Sequence, residues 1–147
     1  MSVKNKPRVY IAGPISQGDL TNNVRRSDDA FILLTRAGFA CLNPMWSVYA
    51  GSAERGTMVL RQFGYDAVVP DTDVVLARGT RTSSLPLTAE DWYGLDLPWV
   101  EVAHAVLRLP GESRGADGEV AHAEKFGIPV FHSVQELISH FEQKVRQ

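Results

Sequence analysis

The run Arg8–Ala12 (RVYIA) is a short apolar stretch that ends at Gly13–Pro14. It reads as a buried strand closed by a turn. The next segment, Asn22–Ala37 (NNVRRSDDAFILLTRA), spaces Val24, Phe31 and Leu34 at nearly helical intervals. Gly38 stands where the residue beyond a helix C-terminus belongs. A second apolar run, Phe39–Leu42, is closed by Asn43–Pro44. Strand, helix and strand within roughly 35 residues form a βαβ unit, which requires a parallel sheet and an α/β fold.

The later half repeats the pattern. Asp91–Val102 predicts a helix in which Pro98 makes a kink or a first turn. His104–Leu109 predicts a strand, Ala116–Phe126 a helix ending at Gly127, and Ile128–Phe131 a further strand. Ser133 is a suitable N-cap for a final helix, Val134–Val145, with Leu137, Ile138 and Phe141 as its apolar stripe. Between these halves, Met45–Thr88 is irregular. Thr57–Asp66 offers a helix, Asp73–Ala77 (DVVLA) a strand, and Arg78–Thr88 a loop of the kind that serves as a lid or an oligomer contact. At 147 residues the chain fits one domain carrying an insertion around 45–88.

Composition narrows the function classes. The formal net charge is −2 and no basic stripe is present, so a nucleic-acid partner is not expected. No apolar stretch approaches the ~18 residues that span a bilayer. Residues 1–14 (MSVKNKPRVYIAGP) contain no long apolar run followed by a small-residue cleavage site, and the single cysteine, Cys41, cannot form an intrachain disulfide. A cytoplasmic protein without a membrane partner is the expectation. The four histidines lack metal-ligand spacing, so neither a metal nor another cofactor is expected.

In an open parallel sheet, ligands bind beyond the carboxyl ends of the strands, where the connections diverge. Two glycine-bearing loops occupy that position. One is Ala12–Ser16, with Gly13, Pro14, Ile15 and Ser16. The other is Pro110–Glu119, with Gly111, Ser113 and Gly115. The helix opening near Gly115 directs free N–H groups into the same space, which favours an anion. Neither loop matches a Walker A or GxGxxG motif. Glu119 is placed in the first turn of that helix, where an acid also suits the helix dipole, and taken alone the dipole is the simpler account. Asp117 has the same dipole explanation. Tyr10 ends the first strand, and Asp91 and Asp96 lie on the helix before His104. Ordinary core or surface roles are available to all three, and core packing also accounts for Trp46, Trp92 and Trp99.

The combination of YIAGPIS at the first strand, a strand ending in Asn43–Pro44 and a late Leu109–Glu119 segment (LPGESRGADGE) resembles the nucleoside 2-deoxyribosyltransferase-like superfamily, especially its small phage and bacterial members. The resemblance covers most of the chain and is weakest over Met45–Thr88. It implies a flavodoxin-like (Rossmann-like) five-stranded parallel sheet with helices on both faces. It also implies cleavage of the N-glycosidic bond of a nucleoside or nucleoside 5′-monophosphate. Glu119 matches the family's nucleophile, Ser113 the serine that holds a 5′-phosphate, and Tyr10 a tyrosine beside sugar and nucleophile. Asp96 matches the aspartate that aids the leaving base, with Asp91 as the alternative. Where many relatives carry an aspartate before the fourth strand, this chain reads Ala103-His104-Ala105. Relatives complete their sites with a neighbouring subunit. A homodimer or higher homo-oligomer is therefore expected, with His132 or Ser133 as contributors. Two other classes stay open: a non-catalytic nucleotide-binding or sensing module, and a protein-interaction role for the insertion.

Overall fold

The computed structural model describes residues 6–15, 17–47, 74–75, 81–82 and 89–146. The chain divides into two units, residues 1–44 with 93–147, and residues 45–92. The larger unit carries the parallel sheet. In chain order its elements are β1 (Arg8–Ala12), α1 (Leu20–Arg36), β2 (Ala40–Leu42), most of α2 (Ala89–Glu101), β5 (Ala105–Arg108), α3 (Arg114–Lys125), β6 (Val130–Phe131) and α4 (Val134–Val145). In the smaller unit, β3 (Val74–Val75) and β4 (Arg81–Thr82) pair antiparallel in a separate sheet.

The helix starts are set by side-chain caps. Asp19 Oδ1 accepts from Asn22 N at 3.1 Å, Ser113 Oγ from Ala116 N at 3.1 Å and Ser133 Oγ from Glu136 N at 3.1 Å. Each satisfies one of the donors that a helix N-terminus leaves unpaired, worth about 1 kcal/mol. Pro98 lies inside α2, on its exposed side, and the helix continues through it.

The four strands run parallel in the order β2-β1-β5-β6. Alternation along β1 divides the core in two. Val9 and Ile11 face α1 and α4, packing with Ala30, Leu34, Phe39, Ala105, Leu107 and Leu137. Tyr10 and Ala12 face the other way, with Val106, Val100 of α2, and Ala116 and Ala123 of α3. Helices therefore cover both faces, as a buried parallel sheet requires.

Five strands were expected, and among the described residues the parallel sheet has four. The expected strand Asp73–Ala77 contains Val74–Val75, which pair with Thr82 and Arg81. They form a separate two-stranded antiparallel sheet and are not a strand of the parallel one. The same pairing places a short strand inside the expected loop Arg78–Thr88. The helix expected over Thr57–Asp66 lies outside the described residues. No helix among the described residues is long and apolar enough to cross a membrane.

Candidate active site

The strand order places the site. From β1 the chain crosses to β2 on one side, then returns to β5 on the other. The connections thus diverge at the carboxyl ends of β1 and β5, the crevice where open α/β sheets bind ligands. Ala12 lies opposite Arg108 in this pair, so the loops after β1 and β5 start side by side. They stay in contact. A Cβ built on Gly13 would stand 3.0 Å from Leu109 Cβ, and one on Gly111 would stand 2.8 Å from Pro14 Cγ. Gly111 also has φ +111°, a conformation L side chains rarely adopt.

Three buried acidic groups lie within electrostatic reach of one another. Tyr10 points off β1 towards α2 and α3 and is 1% exposed. Its hydroxyl donates to Glu119 Oε1 at 3.0 Å in a buried contact. Glu119 is 8% exposed and Asp96, on α2, is 7% exposed. Burial raises the Glu119 carboxyl to about 8, and the negative charge of Asp96 pushes it the same way. The Tyr10 hydrogen bond and the Arg108 charge pull it back down by smaller amounts. Burial alone raises Asp96 to about 6. Tyr10 is driven far above the ordinary phenol range by burial, then by the charges of Glu119 and Asp96, so it stays a donor. Between pH about 6 and about 8 the two carboxyls hold one proton between them. In that window the proton rests on Glu119 and Asp96 bears the negative charge.

The structure alters the account of Glu119. Helix α3 begins at Arg114, earlier than the sequence suggests, so Asp117 is the acid of its first turn and Glu119 lies beyond it. The dipole effect fades within that turn. It therefore explains Asp117, which is exposed, and not Glu119, which is buried.

The other expected site residues divide. Gly13, Pro14 and Ile15 form the loop after β1, with Pro14 buried; Ser16 lies outside the described residues. Ser113 and Gly115 stand at the start of α3, where the Ser113 hydroxyl caps the helix. Asp91 is exposed on the first turn of α2 and belongs to the smaller unit. Of the tryptophans, Trp99 is 53% exposed on α2. His132, just beyond β6, is exposed, and Ser133 caps α4. Among the described residues no group of three His, Cys, Asp or Glu side chains is placed to hold a metal ion.

Four supporting residues escaped the sequence reading. Buried Asn23 donates to Gln17 O at 2.8 Å and Ile15 O at 3.4 Å, fastening the loop after β1 to α1. Gln17 Oε1 accepts from Arg114 N at 3.3 Å, joining that loop to the start of α3. Tyr93 donates to Arg114 O at 3.2 Å and lies against Gly118, where a Cβ would come within 2.7 Å of its hydroxyl. Arg108 donates to Leu109 O, to Gly111 O at 2.9 Å and to Asp117 Oδ1 at 3.0 Å. Only Arg108 left a signal, as a charge inside the apolar run HAVLRL. No family model matches the chain, and no curated protein matches it.

Proposed function

We propose that the chain cleaves the N-glycosidic bond of a nucleoside or nucleoside 5′-monophosphate, passing the sugar to water or to another base. The observation that supports this most is the buried Tyr10–Glu119 hydrogen bond on a strand at the switch point of the sheet, with buried Asp96 in electrostatic reach of both. Breaking a C1′–N bond builds positive charge on the sugar and negative charge on the base. A carboxylate beneath C1′ and an acid beside the base answer both needs. In this reading bound substrate draws the shared proton from Glu119, where it rests in the free protein, to Asp96; Glu119 then forms a bond to C1′ as the C1′–N bond breaks, and Asp96 supplies the proton that the base takes away. Water or an acceptor base then attacks C1′, releasing Glu119 and returning a proton to Asp96. Tyr10 orients Glu119 through its hydroxyl. The chain's likeness to the nucleoside 2-deoxyribosyltransferase-like superfamily at Tyr10, Ser113 and Glu119 points the same way. The Ser113 turn at the start of α3 is the place for a 5′-phosphate.

The test is chromatographic detection of free base after incubation with a panel of nucleosides, deoxynucleosides and their 5′-monophosphates. We expect release from at least one substrate, with a bell-shaped pH profile whose limbs fall near 6 and 8. Glu119→Ala should abolish it, and Asp96→Asn should lower it by roughly 100-fold or more. Full activity in Glu119→Ala would refute the assignment of the nucleophile. Thermal stabilisation by a nucleotide with no base released by the folded protein would instead support a nucleotide-binding module.

A further inference from the structure

Helix α2 has two sides of different character. Its inner side carries Asp96 and Val100, both buried. On its outer side Leu95, Pro98, Trp99 and, just past the helix end, Val102 are exposed. Spacings of three and four residues set them in one stripe along the helix. From Gly94 to Val102 the charged residues are Asp96, which is buried, and Glu101. Glu101 Oε1 lies 2.8 Å from His122 Nε2 on α3, and the His122 ring lies 4.8 Å from the ring of Phe126. Phe126 is also exposed, so it extends the apolar surface past that contact to the end of α3. All of these residues belong to the larger unit.

Size and charge indicate what covers this face. Leu95, Trp99, Val102 and Phe126 are each 44–53% exposed. Together they leave roughly 350–400 Å² of apolar surface open to water, the size of a functional patch. Two such patches face to face bury roughly 700–800 Å² of apolar surface, and at the usual apolar share of about 60% the whole contact reaches roughly 1,200 Å². Specific interfaces begin at about that size. A twofold pair sets each patch against its own copy, so an unengaged charge there would meet its own kind. The stripe avoids this, because its exposed charge, Glu101, is held by His122. The exposed apolar pair on α1, Ile32 and Leu33, does not, with Asp28, Asp29 and Arg36 one turn away on the same helix.

We propose that the outer face of α2, with Phe126 at its edge, is the interface of a homodimer in which two copies of this chain pair about a twofold axis. Pairing packs the helix that carries Asp96 on both of its sides. His132 and Ser133, expected from the sequence to reach a neighbouring subunit, lie just beyond β6 and are not part of this face. The inference does not depend on the glycosidic reading of the site.

The test is sedimentation equilibrium of the full chain from about 1 to about 300 µM. We expect the mass of two chains at the upper end and dissociation on dilution. Trp99→Glu places a carboxylate from each copy in the contact and should weaken pairing at least roughly 30-fold. Ile32→Glu, an equally exposed apolar position on α1, should leave pairing unchanged. If Trp99→Glu does not fold, Val102→Lys takes its place with the same expectation. A wild-type chain that stays monomeric throughout would overturn the proposal, as would a mass that rises past two chains. A folded Trp99→Glu chain that pairs like wild type, or an Ile32→Glu chain that dissociates as readily as Trp99→Glu, would be equally fatal. A monomeric wild-type chain that cosediments with phosphatidylcholine vesicles would assign the face to a membrane surface instead. No substrate enters the measurement, so its outcome stands apart from the base-release assay.

Discussion

Tyr10 and Glu119 are 109 positions apart in the chain and meet at 3.0 Å. Each has an ordinary explanation when considered alone, as a core aromatic and as a helix acid. Burial removes the second explanation, because a carboxyl that is 8% exposed loses most of its hydration without gaining the benefit of the helix terminus. The Tyr10 hydroxyl partly offsets that loss. Tyr10→Phe removes the donor while keeping the ring, so it should cost about 1–3 kcal/mol of unfolding free energy. The loss should be larger at pH 9, where Glu119 is ionised, than at pH 5, where it is protonated. Urea unfolding at the two pH values measures this, and an equal loss at both would show that the hydroxyl does not favour the carboxylate.

At the scale of elements, the contact between the two loops governs the site. Both follow central strands, and both approach too closely for side chains at Gly13 and Gly111. Gly111→Ala meets two obstacles, φ +111° and the ring of Pro14 at 2.8 Å. It should destabilise the protein by about 2 kcal/mol. Gly94→Ala, on the exposed side of α2 with no atom of the described residues within 4 Å of the added methyl, should stabilise by about 0.5–1 kcal/mol. Thermal melts of the two variants should therefore shift in opposite directions. The Ser133 cap and the short strands of the larger unit were legible in sequence because they depend on neighbours a few residues away, while the Asp19 and Ser113 caps were not read. The pairing of Val74–Val75 was not, because a short apolar run carries no record of which partner completes its ladder.

For the whole molecule, the buried acids set the response to pH. In the unfolded chain both carboxyls titrate near about 4. In the folded protein they titrate near about 6 and about 8. The folded state thus holds more protons across that window, and stability falls as pH rises through it. The slope should be about 1.4 kcal/mol per pH unit between pH 6 and 8, where Glu119 alone retains a proton, and about twice that between pH 4 and 6, where both acids do. Glu119→Gln removes the upper part of this dependence and should be more stable than wild type by about 2 kcal/mol at pH 8. Urea midpoints from pH 5 to 9 check both statements, and a wild-type curve that rises with pH would contradict them. His104 acts in the opposite sense on the acid side. Its Nδ1 accepts from Arg8 N at 2.9 Å, and burial, then the Arg8 and Lys144 charges, hold its pKa low, so protonation below the ordinary histidine range weakens the fold.

The sequence by itself determined the elements that depend on local chemistry. Apolar runs of four or five residues closed by Gly or Asn-Pro gave strands, and Ser133 and the 3.6-residue spacing gave helices, whereas the Ser113 cap emerged only in the structure. With the rule that open parallel sheets bind ligands beyond their carboxyl ends, those elements were enough to locate the two loops. Only the tertiary structure decided which residues of those loops and helices share one buried space. It brought buried Asp96 into electrostatic reach of Tyr10 and Glu119, and it left Asp91 exposed on the first turn of α2. The physical reason is that burial and charge–charge distance are set by packing across the sheet. A carboxyl at the right helical position can face solvent or the core, and its neighbours in sequence do not determine which.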